Sequence, residues 1–418
     1  MGGHRRRVAL LVVMLILAGC AVFGGRSTPI PWQGTDTPPA TGDPQAAATS
    51  TPRPPTATPV PATATPTATP TLPPTTQVIT LNAPADGQTV ENPVRIRGRA
   101  RIMPFEGTLV IRVYDAMDRL AAQKPIIAEG ELGGPATFDT TVTYGGMPGE
   151  GRIEVLDLSA RDGSIVGEAT VGVTLSGFPG GGYVEHPLPL SDVTRPVQLL
   201  ARVGRPAQEV DVTLAWGDGT RFTRTLTTLE GLDGRGLLIV SLDEAAPSLS
   251  PPPTQAGAIE IHTTDGSPLA YQPVHILHPD DPETMEVEVT WVTALDELVT
   301  QTLDVPQTQA VGRAAIEALL WGPVPGNTEG YETAIPTPAD VLAYPGRGPK
   351  WGEQVELRQL TIEDGTAHAD FSLELGAHSG GALHVTLIRE QIEATLLQFS
   401  TVDDVVITIN GIPGLLEP

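Results

Sequence analysis

Three polar stretches contain the residue types that bind metal ions or activate nucleophiles. Residues 278–281 read His-Pro-Asp-Asp, and the pair His368 and Asp370 stands two residues apart, on one face of a predicted strand. Ser379 precedes His384 and could serve as a nucleophile with its base, but no Gly-x-Ser-x-Gly elbow surrounds it. We expect a solvated linker at 278–281, an exposed or core-edge strand pair, and a Gly-rich lead into a helix. The sequence therefore predicts no catalytic, cofactor-binding or metal site. A cell-wall hydrolase is the alternative.

Cys20 is the single cysteine of the 418-residue chain, and it directly follows Leu17-Ala18-Gly19. Upstream lie a basic head, Arg5 to Arg7, and an apolar run, Val8 to Leu17. This run is too short to span a bilayer, which takes about 20 residues. A basic head, a short apolar run and a small-residue end are typical of a secretory signal peptide, which we place at residues 1–19. With one cysteine, no disulfide forms within the chain.

The Leu-Ala-Gly-Cys end of this segment resembles the lipobox of bacterial lipoproteins. The resemblance implies that the thiol of Cys20 receives a diacylglycerol and that Cys20 becomes the first mature residue. Two acyl chains are sufficient for stable anchoring. We therefore expect a protein held on the extracytoplasmic face of the cell membrane. The alternative is an ordinary signal peptide with a cysteine at its end by chance.

The formal net charge is −24, with 25 basic and 49 acidic residues. A surface this acidic disfavours nucleic acid, anionic lipid headgroups, teichoic acids and other polyanions. We expect no nucleic-acid partner. The acidity either keeps an extracellular protein soluble or forms a face for a basic partner or divalent cations.

Residues 20–77 follow the predicted signal peptide and are rich in Thr, Pro and Ala, as in Thr-Pro-Thr-Ala-Thr-Pro-Thr at 65–71. Such a segment buries too little apolar surface to offset its ordering entropy. We predict an extended, disordered stalk. At about 3.1 Å per residue, the fully stretched reach of its low-complexity part, residues 27–77, would be on the order of 150 Å.

Two regions with short alternating strands follow, at 78–176 and 185–276. In the first, Val94 to Gly98 and Thr108 to Tyr114 alternate apolar and polar residues, and Gly, Pro and Asp mark the turns. This spacing is typical of an antiparallel β-sandwich. In the second, Trp216 leads into an Asp-Gly hairpin turn. We interpret it as a degenerate second copy of the first sandwich.

The first region resembles the Gmad-type immunoglobulin-like domain of bacterial spore germination proteins. The resemblance is carried by Asn82-Ala83-Pro84, Asn92-Pro93-Val94, Phe105-Glu106-Gly107-Thr108-Leu109 and Val113-Tyr114-Asp115. It implies a β-sandwich of exported proteins that binds rather than catalyses.

Residues 284–418 combine the two-residue periodicity of strands with the 3.6-residue periodicity of helices. Helices are predicted over Thr308 to Trp321 and Leu383 to Phe399, with strands at Glu286 to Val292, Gln354 to Glu363 and Thr366 to Leu375. Val405 to Ile409 closes the region as a further strand. The predicted order is β-α-β-β-α-β, an α+β fold with its helices on one face of the sheet.

This region resembles the GerMN domain of sporulation and spore germination lipoproteins. The resemblance is carried by Ala314 to Leu320 with Gly322-Pro323, Ala334-Ile335-Pro336, His368 to Phe371 and Asn410-Gly411. It implies a fold similar to the ring-building motifs of secretion complexes, and hence protein–protein assembly. Trp351, in a Gly/Pro/Lys loop, is the candidate interaction residue.

Taken together, the residues predict a multidomain protein with immunoglobulin-like β-sandwiches followed by an α+β domain. We expect a lipid-anchored, non-catalytic binding or assembly protein of the bacterial cell envelope, possessing domains typical of sporulation or germination. Its expected partners are the membrane, through Cys20, and an envelope protein or the cell wall. A cell-wall glycan-binding protein is the other alternative.

Overall fold

The computed structural model describes residues 77–243, 254–327, 329–378 and 380–416. The predicted signal peptide, Cys20, the predicted stalk up to residue 76, and Ser379 lie outside these residues. The described residues belong to one compact unit. Among the described residues, no helix has the length and apolar character that crossing a membrane requires.

The first module is a two-sheet β-sandwich. Its strands are β1 (Ile79–Ala83), β2 (Gln88–Val90), β3 (Val94–Ala100), β4 (Thr108–Tyr114), β5 (Leu120–Ile127), β6 (Glu129–Gly130), β7 (Ala136–Val142), β8 (Gly149–Leu158) and β9 (Ile165–Leu175). The sheets have the strand orders β1-β3-β7-β6 and β2-β9-β8-β4-β5. The edge strand β2 runs parallel to β9, and the other neighbours are antiparallel.

Strand β3 shows why this sequence folds as a sandwich. Val94, Ile96 and Ala100 are buried in the core, and the intervening residues face outward. Gly98 occupies another inward-facing position, where a Cβ would come within 2.4 Å of the Phe138 ring and of the Thr80 carbonyl oxygen. Only glycine therefore permits the observed packing of β3 between β1 and β7.

The second module repeats this architecture. Its strands are β10 (Tyr183–His186), β11 (Asp192–Val193), β12 (Val197–Arg202), β13 (Glu209–Trp216), β14 (Arg221–Thr227), β15 (Leu229–Glu230), β16 (Gly236–Leu242), β17 (Gln255–Thr263) and β18 (Pro268–Ile276). The sheets have the orders β10-β12-β16-β15 and β11-β18-β17-β13-β14. Again the short edge strand, β11, is parallel to the last strand, β18.

The two sandwiches have the same strand order throughout. Strand β10 corresponds to β1, β11 to β2, and so on up to β18, which corresponds to β9. Their opening segments also share a proline spacing: Pro84 and Pro93 flank β2, and Pro187 and Pro196 flank β11. This common order supports the interpretation of the second module as a copy of the first.

The C-terminal module combines strands and helices around its own core. Its elements are β19 (Thr284–Val292), β20 (Leu298–Pro306), α1 (Val311–Leu320), α2 (Pro338–Ala343), β21 (Leu357–Glu363), β22 (Thr366–Phe371), α3 (Ala382–Leu397), β23 (Asp404–Ile409) and β24 (Ile412–Pro413). Strands β21-β22-β23-β24 form one sheet and β19-β20 form a hairpin. Both α1 and α3 pack on β19, and they also contact each other.

The all-β and α+β fold classes are confirmed, with differences in detail. Strand β20 and helix α2 were not predicted from the sequence: β20 alternates but carries Thr, Gln and Asp, and α2 has only six residues. The strand predicted over Thr366 to Leu375 ends at Phe371, and a 3-10 turn, Leu373–Gly376, follows. On α3, Leu387, Ile388, Ile392 and Leu396 are buried as predicted, but Leu383 in the first turn is exposed.

Candidate functional site

Trp351 lies in a loop of the C-terminal module and is half-buried. Its ring stacks on that of Tyr344, with centroids 5.4 Å apart and planes 14° from parallel. Together with Leu342, Arg347 and the exposed Leu232 of the second module, these rings line an open hollow of about 470 Å³. Two stacked aromatic rings at the border of two modules provide an amphipathic contact area of the kind found in protein interfaces.

The segments on either side of Trp351 hold the loop in place. Helix α2 begins with a capping box, in which Thr337 and Asp340 bond each other's backbone N–H groups, and it leads directly into Tyr344. After Trp351, the N–H of Gly352 donates to the carboxylate of Glu374. Glu374 is buried, and so is Glu353, the residue that follows Gly352. The aromatic pair is therefore fixed from both ends.

Glu353 connects this loop to the second module. Its carboxylate receives two hydrogen bonds from the Arg202 guanidinium, at 3.2 and 2.7 Å, and one from the N–H of Leu232 at 2.5 Å. Arg202 also donates to Glu185 at 2.5 Å. The pKa of Arg202 is raised, chiefly by its hydrogen bonds to Glu353, so the guanidinium stays charged.

A second contact between these modules is formed by Trp321. Trp321 is the last residue of the helix predicted from the sequence, and in the structure it directly follows α1. It is only half-buried, and its ring stacks on His186 of the second module, with centroids 5.2 Å apart. Ser241 of β16 donates to the carbonyl oxygens of Trp321 and Gly322. Trp321 thus contributes to the border between modules.

A cleft of about 410 Å³ opens beside this contact. The second module lines it with His186 and the Pro187 to Pro196 segment, and the C-terminal module with Asp304, Arg313 and Glu317. Thr194 crosses the cleft and donates to the Asp304 carbonyl oxygen at 2.7 Å. Burial raises the pKa of the Asp304 carboxyl, with a smaller contribution from the neighbouring Glu286.

Gln272 joins the two sandwiches and is fully buried. Its amide nitrogen donates to the Pro187 carbonyl oxygen at 2.6 Å, and its amide oxygen accepts from the N–H of Gly146 at 2.8 Å. Neither this residue nor the Arg202–Glu353 pair was identified from the sequence. The only signal for Gln272 was a polar residue in an otherwise apolar strand.

His368 and Asp370 lie on β22 without forming a site. His368 is exposed. Asp370 is an organising residue of the sheet: it accepts from the Thr408 hydroxyl and the Gly411 N–H, both at 2.7 Å, and it pairs with Arg358 at 3.3 Å. These bonds tie β22 to the turn between β23 and β24.

His384 lies elsewhere, in a hollow of about 320 Å³ that it shares with His378, Asp340 and Tyr344. The two imidazoles are 5.9 Å apart between centroids. Burial, together with the charge of His384, lowers the pKa of His378. Neither His368 nor Asp370 lines this hollow, so the structure does not bring the described members of the hydrolase alternative together. Ser379 lies outside the described residues.

The segment 278–281 connects the second module to the C-terminal module, and it forms a hydrogen-bonded turn in which the Asp280 side chain is exposed. The His278 ring accepts from the N–H of Asp280 at 3.0 Å, and Asp281 accepts from the Thr254 hydroxyl at 2.6 Å and from the Glu283 N–H at 2.9 Å. Within the described part of the chain, no group of three or more His, Cys, Asp or Glu side chains is arranged to hold a metal ion.

In comparisons with known proteins, two family models match this chain, one near each end of the described region. Residues 78–164 match the model of the immunoglobulin-like domain of bacterial spore germination, and residues 273–414 match the sporulation and spore germination model. No curated protein matches the chain. Both matched families are non-enzymatic.

Among solved structures, the chain is similar to the first GerMN domain of the sporulation protein GerM from Bacillus subtilis. The identity is 25% over 31% of this chain and 85% of that one, with a TM-score of 0.24. The tandem GerMN domains of the same protein give 25% identity over 31% of this chain and 40% of that one, with a TM-score of 0.24.

A structure described as a "Putative Lipoprotein from Clostridium perfringens" shares 15% identity over 31% of this chain and 74% of that one, with a TM-score of 0.19. TM-scores this low do not establish a shared fold, so the types of the two domains are assigned from the two family models alone. The chain combines an immunoglobulin-like domain of the Gmad spore germination type with a C-terminal domain of the GerMN sporulation and spore germination type.

Proposed function

We propose that this chain is a lipid-anchored, non-catalytic docking protein of the bacterial cell envelope. In this proposal the acyl chains on Cys20 insert into the membrane, and residues 20–77 determine how far from the membrane the folded modules can lie. The C-terminal module binds a protein partner through the surface around Trp351. The two domain families, both related to sporulation and germination, support a role in assembly rather than in catalysis.

The observation that carries the proposal is the fixed aromatic pair at the border of two modules. Glu353 bonds Arg202 across that border and follows Trp351 by only two residues. The same contact therefore holds the modules together and positions the Trp351–Tyr344 surface. A partner that binds there meets a preorganised surface and loses little conformational entropy in the loop.

Site-specific photo-crosslinking in cells tests the docking surface. A photoreactive phenylalanine analogue replaces Trp351 in the full chain, and a second strain carries it at Leu295, an exposed position in the β19–β20 hairpin loop. We expect one envelope protein to be linked from position 351 and not from position 295. Equal labelling at both positions, or labelling of lipoproteins in bulk, would contradict a docking surface at Trp351.

Membrane fractionation tests the anchor. Cys20→Ala removes the thiol that accepts the lipid, so we expect the variant in the soluble fraction and the unsubstituted chain in the membrane fraction. Cys20→Ser serves as a control that preserves size but not acylation. If either variant stayed with the membrane after a high-salt wash, the lipid anchor would be refuted.

A further inference from the structure

The outer face of β3 carries a column of arginines. Arg95, Arg97, Arg99 and the following Arg101 are all exposed, and each is separated from the next by one inward-facing residue. Alternate residues of a strand repeat at about 6.8 Å, so the three arginines of β3 stand in line over about 14 Å, and Arg101 follows directly after the strand. This alternation is already visible in the sequence Val-Arg-Ile-Arg-Gly-Arg-Ala-Arg.

Three of these cations are unneutralised within the described part of the chain. Arg95 forms a two-point pair with Asp139 of β7, at 2.8 and 2.6 Å. Arg97, Arg99 and Arg101 form no ion pair with any described residue, although Arg97 lowers the pKa of Asp139 further through its charge. Unpaired arginines have their full hydrogen-bonding capacity available for a ligand.

The strands beside this column present small polar side chains. On the outer face, β1 contributes Thr80 and Asn82, and β7 contributes Thr137 and Thr141. Arg99 lies between Thr80 and Thr137 in the register of the sheet. The remaining acidic group is Glu129 on the short edge strand β6, which shares an open groove of about 430 Å³ with Arg97. Hydroxyl and amide groups next to the cations suit a ligand that has hydroxyls of its own.

The charge of the chain is distributed unevenly. Residues 77–176 contain nine basic and thirteen acidic side chains, whereas residues 177–418 contain eleven basic and thirty-four acidic ones. The second and third modules therefore repel polyanions, and the expectation that the acidic chain excludes all polyanions does not extend to β3. The net charge of the chain disfavours an anion, and the arginines on the outer face of β3 form a local exception to it.

The shape of the column distinguishes between anionic partners. It is one residue wide, which matches a linear chain rather than a plane of headgroups. Two exposed apolar residues of this module, Phe105 and Ile127, are accompanied by Glu106 and Glu129, whose carboxylates repel an anionic bilayer. The outward residues of this face include no aromatic ring on which a nucleic-acid base could stack.

We propose that the outer face of the β1-β3-β7-β6 sheet binds a linear polyol phosphate, a polymer whose phosphodiesters alternate with hydroxyl-bearing units, through Arg97, Arg99 and Arg101. Each guanidinium forms two parallel hydrogen bonds to one phosphate, a geometry that arginine provides and lysine does not. The flanking Thr and Asn side chains bond the polyol hydroxyls. This function is additional to the docking of a protein at Trp351 and does not depend on it.

Binding of poly(glycerol phosphate) to the purified full chain tests the proposal, with Cys20→Ala in every sample to remove the acyl anchor. Three phosphate contacts give a slope of log K against log salt of about −2, which lowers the affinity about 20-fold between 50 and 200 mM salt. The triple substitution Arg97→Ala, Arg99→Ala and Arg101→Ala should abolish this salt-dependent binding. Arg112→Ala, Arg161→Ala and Arg205→Ala together remove the same charge outside the face and should preserve it.

Two other probes separate the classes of partner. A single-stranded oligonucleotide with the same number of phosphates and vesicles of phosphatidylglycerol should both bind more weakly than poly(glycerol phosphate). Stronger binding of either probe, equal loss in the two triple variants, or no salt-dependent binding by the unsubstituted chain would each overturn the proposal. Matching thermal unfolding of both variants shows that the substitutions leave the fold intact.

Discussion

Arg202 of β12 and Glu353 of the C-terminal module form a two-point ion pair that crosses the border between modules, with N–O distances of 3.2 and 2.7 Å. Both side chains are largely shielded from water, with 15% and 8% of their surface exposed. A shielded charge that loses its partner is costly, whereas an exposed pair contributes little. This relationship makes the orientation of the Trp351 loop depend on a residue in another module.

Glu353→Gln should lower the free energy of unfolding by about 2 kcal/mol, because a charge-assisted bond to Arg202 is replaced by a neutral one and the Leu232 N–H loses its carboxylate acceptor. Urea unfolding measures the change. Glu356→Gln is the matched control, since Glu356 is exposed, and its effect should stay within about 0.5 kcal/mol. Equal effects of the two substitutions would show that the pair does not stabilise the border.

Gln272→Leu should destabilise the contact between the sandwiches by about 1–3 kcal/mol, because the buried Gly146 N–H and Pro187 carbonyl oxygen lose their partner. Amide hydrogen exchange at Gly146 should speed up while the core strands of both sandwiches keep their protection. Gln359→Leu, at an exposed position of β21, is the control. Unchanged exchange at Gly146 would contradict the bridging role.

The stability should depend on pH through His186. Burial lowers its pKa below the ordinary value of 6.5, so the unfolded chain binds the proton at a higher pH than the folded chain does. The free energy of unfolding therefore decreases as the pH falls below 6.5, by at most about 1.4 kcal/mol per pH unit for this group.

His186→Phe retains an aromatic ring against Trp321 and removes the titration. We expect the stability difference between this variant and the unsubstituted chain to be constant above pH 7.5 and to shift in favour of the variant between pH 6.5 and 5. His378, whose pKa is also lowered, is present in both proteins and cancels. Parallel stability profiles across this range would show that His186 does not titrate differently in the folded state.

Asp370→Ala should lower the stability, because the Thr408 hydroxyl and the Gly411 N–H lose their acceptor and Arg358 loses its ion-pair partner. We expect a loss of about 2 kcal/mol in urea unfolding. His368→Ala, two residues away and exposed, should have little effect. A stable Asp370→Ala protein that lost a wall-degrading activity would instead favour the hydrolase alternative.

The sequence by itself determined the local structure and the domain types. Period-two alternation in β3 and β4 and period-3.6 spacing in α1 and α3 follow from local geometry, so the sandwiches and the α+β domain were recognisable. The family resemblances, carried by stretches such as Phe105 to Leu109 and His368 to Phe371, were confirmed by the matches to both domain models. Trp351 as an interaction residue and Cys20 as the lipidation site stay predictions.

Only the tertiary structure decided how the modules meet. Gln272 bonds Gly146 across 126 positions, and Arg202 bonds Glu353 across 151. Contacts of this range leave no periodic signal, because each partner reads locally as an ordinary polar residue of a strand or loop. For the same reason the spacing of His368 and Asp370 predicted that they share a strand face but not that Asp370 bonds a turn more than 35 residues later. Spacing along the chain defines a face, and only packing defines what lies opposite it.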